Sequence, residues 1–187
     1  MAPRYFAGLL LASLVAARVS AGAPADAGAL LVGKYDNAAQ TKSDPAVPHV
    51  VVTITPTPKP EWTLWAVHVE TDPQTSFDQT WAMELRKEYD GSYALIPSYQ
   101  LKQDAPPSAG AFDGSGWLSL EACALRGAFA KSKLEGNAEG EPCVAVTMSV
   151  GARRALLPVG YAREGDRLQV DLNLRGARTQ IDARRSD

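Results

Sequence analysis

VVVTITPTPKPEWTLWAVHVE, Val50 to Glu70, decides the fold. Its first part alternates: Val50, Val52 and Ile54 fall on one face of an extended chain, and Val51, Thr53 and Thr55 on the other. Successive side chains of a strand point to opposite faces, so this period of two marks a half-buried β-strand. The prolines of TPKP supply a turn, and EWTLWAVHVE resumes as a second strand, giving a hairpin.

The pattern continues on both sides of a less regular middle. In SFDQTWAMELRKEYDGSYALIPSYQL, residues Phe77, Gln79, Trp81, Met83 and Leu85 share a face, and Asp90-Gly91 is a turn signal that predicts a second hairpin. KQDAPPSAGAFDGSG reads as a loop, long enough for a lid or rim element. GWLSLEACALRG is predicted as a short helix with Ser115 as N-cap and Gly127 as its end. CVAVTMSVG, RALLPVGYARE and RLQVDLNLRG return to alternation, the last with Leu168, Val170, Leu172 and Leu174 on one face. About 8–10 short strands with little helix predict an all-β, antiparallel barrel, with a β-sandwich as the second choice. A barrel of this size has room for one small ligand.

The first residues, MAPRYFAGLLLASLVAARVSA, combine a basic start at Arg4, an apolar run over Tyr5 to Ala17 and a small-x-small ending at Val19, Ser20 and Ala21. This is the pattern of a secretory signal peptide over residues 1–21, and its apolar run is short for a membrane span. No cysteine follows the run, which argues against a lipid anchor. Residues 22–29 read as a flexible leader and 30–187 as a single domain in a periplasmic or secreted protein. With Arg4 and Arg18 removed, the formal charge moves from −2 to about −4. A weakly acidic chain without a basic run offers no electrostatic footprint for nucleic acid.

Export bears on the cysteines. Cys123 and Cys143 are the two in the chain. In an oxidising compartment their simplest reading is a disulfide, the other being a free reactive thiol. No metal site is expected, because His49 and His68 lie far from both cysteines and lack zinc-type spacing.

Several short motifs point to a family. GKYDNAAQ, with Gly33, Tyr35, Asn37 and Gln40, resembles the G-x-aromatic-x-N-x-x-Q opening of the chromophore lyase family CpcT/CpeT, and DPAVPHVVVTITP resembles the segment that follows it there. The resemblance extends through YQL, GAF, LEACALRG, LEGNAEGEPC and VGARRALLPVGYAREGDRLQVDLNLRG, over residues 30 to 184. It implies a calycin-like or lipocalin-like antiparallel barrel, a homodimer, and attachment of a bilin, an open-chain tetrapyrrole, to a cysteine of a client protein. The family pattern also has cysteines at the equivalents of Cys123 and Cys143, which supports a structural pair. No cofactor is required, a bilin being a candidate ligand.

The departures from that pattern are specific. Where the family carries Pro-Tyr-Arg-x-Arg, this chain has SFDQT: Ser76, Phe77, Asp78, Gln79 and Thr80. Bilin propionates need cationic partners, and Asp78 in that place repels them. Arg86 and Lys87 can replace the missing arginines only with a shifted strand register, which turns each side chain to the other face. The family's C-terminal Trp-Gly element is missing from ARTQIDARRSD, and its lyases work in the cytosol.

Ligand-binding candidates are therefore Tyr35, Asn37, Gln40, His68, Phe77, Asp78, Gln79 and Trp81. His68, sharing a face with Trp62, Leu64 and Ala66, either lines the barrel or is a hydrogen-bonded core residue. His49 reads as a solvated strand start, Ser115 as a turn or cap residue outside any nucleophile elbow, and ELRKE as the solvated end of a strand. Arg153 and Arg154 fall in a predicted hairpin turn, as rim anion contacts or as solvated residues. Trp62, Trp65, Trp81 and Trp117 either pave a pocket or fill the core. Two function classes remain. One is a bilin lyase, with Asp78, Glu70 or Glu84 as the acid in the cavity. The other is a non-catalytic exported barrel binding a small apolar ligand or an envelope partner, in the plainest case a filled scaffold.

Overall fold

The computed structural model describes residues 31–72, 74–101, 108–127, 133–136, 140–153, 156–174 and 176–186. Residues 1–21 and 22–29, expected as a signal peptide and a leader, lie outside them, as do Arg154 and the start of the middle loop. Among the described residues no helix is long and apolar enough to cross a membrane.

The fold is all-β and antiparallel, an eleven-stranded sheet curled into a barrel. β1 (Gly33–Asp36) leads through a short helix α1 (Ala38–Ser43) into β2 (His49–Pro56), β3 (Trp62–Asp72), β4 (Thr75–Lys87) and β5 (Tyr93–Gln100). Next come β6 (Trp117–Ser119), β7 (Leu125–Gly127), β8 (Lys133–Gly136), helix α2 (Glu141–Ser149), β9 (Pro158–Glu164), β10 (Arg167–Leu174) and β11 (Ala177–Ser186). Each strand pairs with its sequence neighbours, apart from β6 and β7, which share one edge of β5. β1 pairs with both β2 and β11, and β4 with both β3 and β5, so the ladders run as a continuous ring.

Both predicted hairpins form. Val50 stands opposite Val69, Val52 opposite Val67 and Ile54 opposite Trp65, with all six side chains buried on the inner face. Trp81 and Met83 of β4 and Leu168, Val170, Leu172 and Leu174 of β10 are buried with them. Gly91 takes φ 84° in the Asp90-Gly91 turn, a backbone conformation that glycine adopts without a Cβ clash. The interior is aromatic: Trp65 meets Tyr161 edge to face with ring centroids 5.7 Å apart, and Trp81 lies 6.0 Å from Tyr99. Trp81 also donates its indole N–H to the Leu156 carbonyl at 2.9 Å, which ties the segment after α2 to the core.

Two segments differ from expectation. GWLSLEACALRG is not a helix: β6 and β7 lie along β5, separated by a single 3-10 turn at Glu121–Cys123. Pro97 of β5 explains the break, since it has no N–H to offer the neighbouring strand; only its carbonyl bonds across, accepting from Leu120 N–H at 2.8 Å. CVAVTMSVG is not a strand but lies in α2. Gly140 precedes the helix and Pro142 sits in its first turn, where a missing N–H costs nothing. Gly151, at φ 70°, ends it: its N–H bonds the Met148 carbonyl and that of Ala152 the Thr147 carbonyl, the two bonds of a Schellman cap. Cys143 and Thr147, one turn apart, are the fully buried positions of α2. Arg153 accordingly follows a helix and does not sit in a hairpin turn.

Cys123 and Cys143 form a disulfide with Cα atoms 4.9 Å apart. It joins the 3-10 turn after β6 to the first turn of α2. Arg86 supports the same turn from the outer face of β4, with a two-pronged bond to Glu121 at 2.9 Å for each nitrogen.

Candidate functional site

The sequence candidates divide into a buried knot, an outer-face chain and one end of the barrel interior. The knot is GKYDNAAQ. Tyr35 points inward and donates its hydroxyl to the Leu31 carbonyl at 2.9 Å. Asn37 is fully buried. Its carboxamide oxygen accepts the Val50 N–H at 2.7 Å, and its Nδ2 donates to the Pro48 carbonyl at 3.0 Å and to Gln40 Oε1 at 3.2 Å. Gln40 in turn accepts from Asp182 N–H at 2.9 Å and donates to the Gln180 carbonyl at 3.0 Å. These two side chains link β2, α1 and β11, and their polar atoms are engaged with backbone groups.

The outer-face chain contains residues expected inside. Because Trp65, Val67 and Val69 take the inner face of β3, Trp62, Leu64, Ala66, His68 and Glu70 face outward. His68 therefore does not line the barrel. Asp78, directly opposite it on β4, faces outward too, as do Glu70 and Glu84; none of the three carboxylates is an acid in the interior. Arg86 is likewise on the outer face and bound to Glu121, so it does not stand in for the missing arginines.

Four contacts run in a line across β1 to β4. His49 Nε2 lies 3.0 Å from Asp36 Oδ1 and His49 Nδ1 2.9 Å from Glu70 Oε2. His68 Nε2 lies 3.3 Å from Glu70 Oε1 and His68 Nδ1 2.7 Å from Asp78 Oδ1. The hydrogen bond to Glu70 raises the His49 pKa above its ordinary value, and that to Asp78 raises His68. Glu70 is held below the ordinary carboxylate range, first by His49 and then by His68. His49, expected as a solvated strand start, is thus half-buried and bridged on both sides. Among the described residues no group of these side chains is arranged to hold a metal ion; the donors face one another along a line and do not converge on a point.

The inner face of β4 meets solvent at its first turn of chain. Trp81 and Gln79 are buried, whereas Phe77, two positions nearer the start of the strand, is 39% exposed. The Arg153 guanidinium stands over its ring, 5.5 Å from the centroid. The sequence offered Phe77 as a ligand-binding candidate on a strand face and Arg153 as a rim contact or a solvated turn residue; their contact needed α2, which carries the chain back to β4. Gln79 donates to the Thr80 carbonyl at 3.1 Å. Deeper in, the Tyr161 hydroxyl is buried beside Trp65 without a hydrogen-bond partner among the described residues, and burial pushes its pKa up, keeping the phenol neutral.

The four tryptophans separate by face. Trp65 and Trp81 are core, while Trp62 and Trp117 flank Phe112 on the outer face, at centroid distances of 5.4 Å and 5.8 Å. That cluster covers Leu64 and Ala82 and holds the loop Ala109–Ala111 on the sheet. Ser115 is a turn residue whose N–H bonds Asp113 Oδ1 at 2.7 Å.

No protein-family model, curated protein or solved structure matches the chain.

Proposed function

We propose that this chain is an exported barrel of the CpcT/CpeT kind that binds a planar, apolar, anionic ligand without transferring it, an open-chain tetrapyrrole being the reference ligand. The contact of Arg153 with the half-exposed Phe77 carries this reading. A flat apolar ligand stacks on the Phe77 ring, and its carboxylate meets the Arg153 guanidinium, which supplies the cation absent from SFDQT. The ligand lies at the barrel mouth, because Trp65, Trp81, Met83 and Tyr35 occupy the interior behind it. Among the described residues, covalent transfer has no inward-facing carboxylic acid to draw on: Asp78 and Glu70 are committed to the histidines outside, and burial makes the Tyr161 phenol too weak an acid to give up its proton readily. The Cys123–Cys143 disulfide fits the oxidising compartment that the N-terminal pattern implies.

Titration of the oxidised protein with biliverdin, followed in the visible spectrum, tests the reading. A saturable shift is expected, with affinity about tenfold weaker in either Phe77→Ala or Arg153→Ala, corresponding to about 1.4 kcal/mol. Absence of a saturable shift, or affinities unchanged in both variants, would sink it.

A further inference from the structure

We propose that Asp36, His49, Glu70, His68 and Asp78 form a proton-operated clasp that fastens the outer face of β1 to β4 when both imidazoles are protonated and loosens it when they are neutral. The argument rests on which atoms face which. Each histidine presents both ring nitrogens to carboxylate oxygens: His49 to Asp36 and Glu70, His68 to Glu70 and Asp78. A neutral imidazole has one donor and one acceptor, so one of its nitrogens would turn a lone pair toward a carboxylate. Only the doubly protonated ring satisfies both contacts. With both rings charged, three carboxylates and two cations alternate along the line. With both neutral, Glu70 and Asp78 remain diagonal neighbours on β3 and β4, and Asp36 lies across β2 from Glu70, with no cation between them; like charges held this close on a sheet repel.

The neighbouring charges do not replace the histidines. Lys34 on β1, Asp72 at the end of β3 and Arg184, opposite Asp36 on β11, share this side of the sheet. Lys42 and Asp44 belong to the α1 segment packed on β2, and Glu84 and Arg86 lie farther along β4, where Arg86 holds Glu121. The imidazoles are the groups that titrate near neutral pH.

The clasp backs the barrel mouth. His68 and Asp78 are a cross-strand pair, and the next pair along, Val69 and Phe77, faces inward. Loss of the outer contacts therefore frees the end of the β3–β4 hairpin that carries Phe77. The proposal does not depend on a ligand at Phe77.

The sign follows from linkage. Both histidines have folded-state pKa values raised above 6.5, so their contribution is complete below about pH 6.5 and is lost as pH rises through the raised values. Glu70 is lowered from 4.5, so its contribution is present above about pH 4.5 and is lost as pH falls through the lowered value. The clasp is tightest between those limits.

Amide hydrogen exchange on the full oxidised chain, expressed as protection relative to intrinsic exchange, provides the test. Protection at the ends of β3 and β4 should fall about tenfold between about pH 5.5 and about pH 8.5, while β10 and β11 hold steady. The His49→Gln, His68→Gln double variant should lose this pH dependence, and Asp78→Asn should retain part of it. Constant protection in the wild type, a fall shared equally by β10 and β11, or the same fall in the double variant would overturn the clasp.

Discussion

Reducing the Cys123–Cys143 disulfide should lower the melting temperature by about 6–12 °C. The bond closes a separation of 20 residues between the 3-10 turn and α2. A loop of that size restricts the unfolded chain by about 3 kcal/mol, and in a domain of this length each kcal/mol moves the midpoint by about 2–4 °C. The native side adds to this. α2 has nine residues, too short to be stable alone, and only Cys143 and Thr147 are fully buried along it. Without the bond, α2 should unfasten before the barrel does, with Leu156 still held by Trp81. A Cys123→Ala, Cys143→Ala double variant should match the reduced protein in thermal melts and lose helical far-UV signal. A midpoint within about 2 °C of the oxidised protein would contradict the assignment of a structural staple.

Asn37→Ala should destabilise the protein by about 2–4 kcal/mol. Its carboxamide holds the Val50 N–H and the Pro48 carbonyl in a fully buried position. Truncation leaves the Val50 N–H without its partner and the Pro48 carbonyl with only a long bond from the Thr41 hydroxyl at 3.5 Å, an unmet buried group costing about 1–3 kcal/mol, and frees Gln40 to leave its backbone contacts on β11. Gln40→Ala, at a half-exposed position, should cost about 1 kcal/mol. Urea unfolding of both variants measures the difference. If Asn37→Ala unfolds like the wild type but alters biliverdin affinity, the motif belongs to a ligand site and not to the knot.

Much of this architecture was legible in the chain, for physical reasons that also explain the omissions. β2, β4 and β10 carry a clear period of two, and Asp90-Gly91 supplies a backbone that only a tight turn requires. β11 escaped because its inward residues, Ile181 and Ala183, are interleaved with arginine and glutamine on a mostly exposed strand. α2 escaped because Val144, Val146 and their neighbours imitate a strand; the Gly140 and Pro142 start and the Gly151 stop were the better signals. In β6–β7 the deciding residue, Pro97, lies on the partner strand, where no local pattern reveals it.

The site was legible in its residues and not in its geometry. Periodicity placed His68 with Trp62 and Leu64, but both faces of β3 are apolar, and pattern alone does not say which faces inward. The partners decide: Val50 and Val52 opposite Val69 and Val67 bury one set, and the Phe112 cluster covers part of the other. Asn37 and Gln40 were visible as a motif, yet their role depends on Val50, Pro48, Gln180 and Asp182, up to 142 residues away. The line from Asp36 to Asp78 spans four strands and follows only from their register.

The central claim, binding without transfer, is tested most directly by loading the oxidised protein with biliverdin, adding a cysteine-bearing acceptor protein, and denaturing the mixture in acidic urea before separation. The account predicts that all pigment leaves both proteins on denaturation. Pigment retained on the acceptor, and absent when this protein is omitted, would show a lyase and contradict the account.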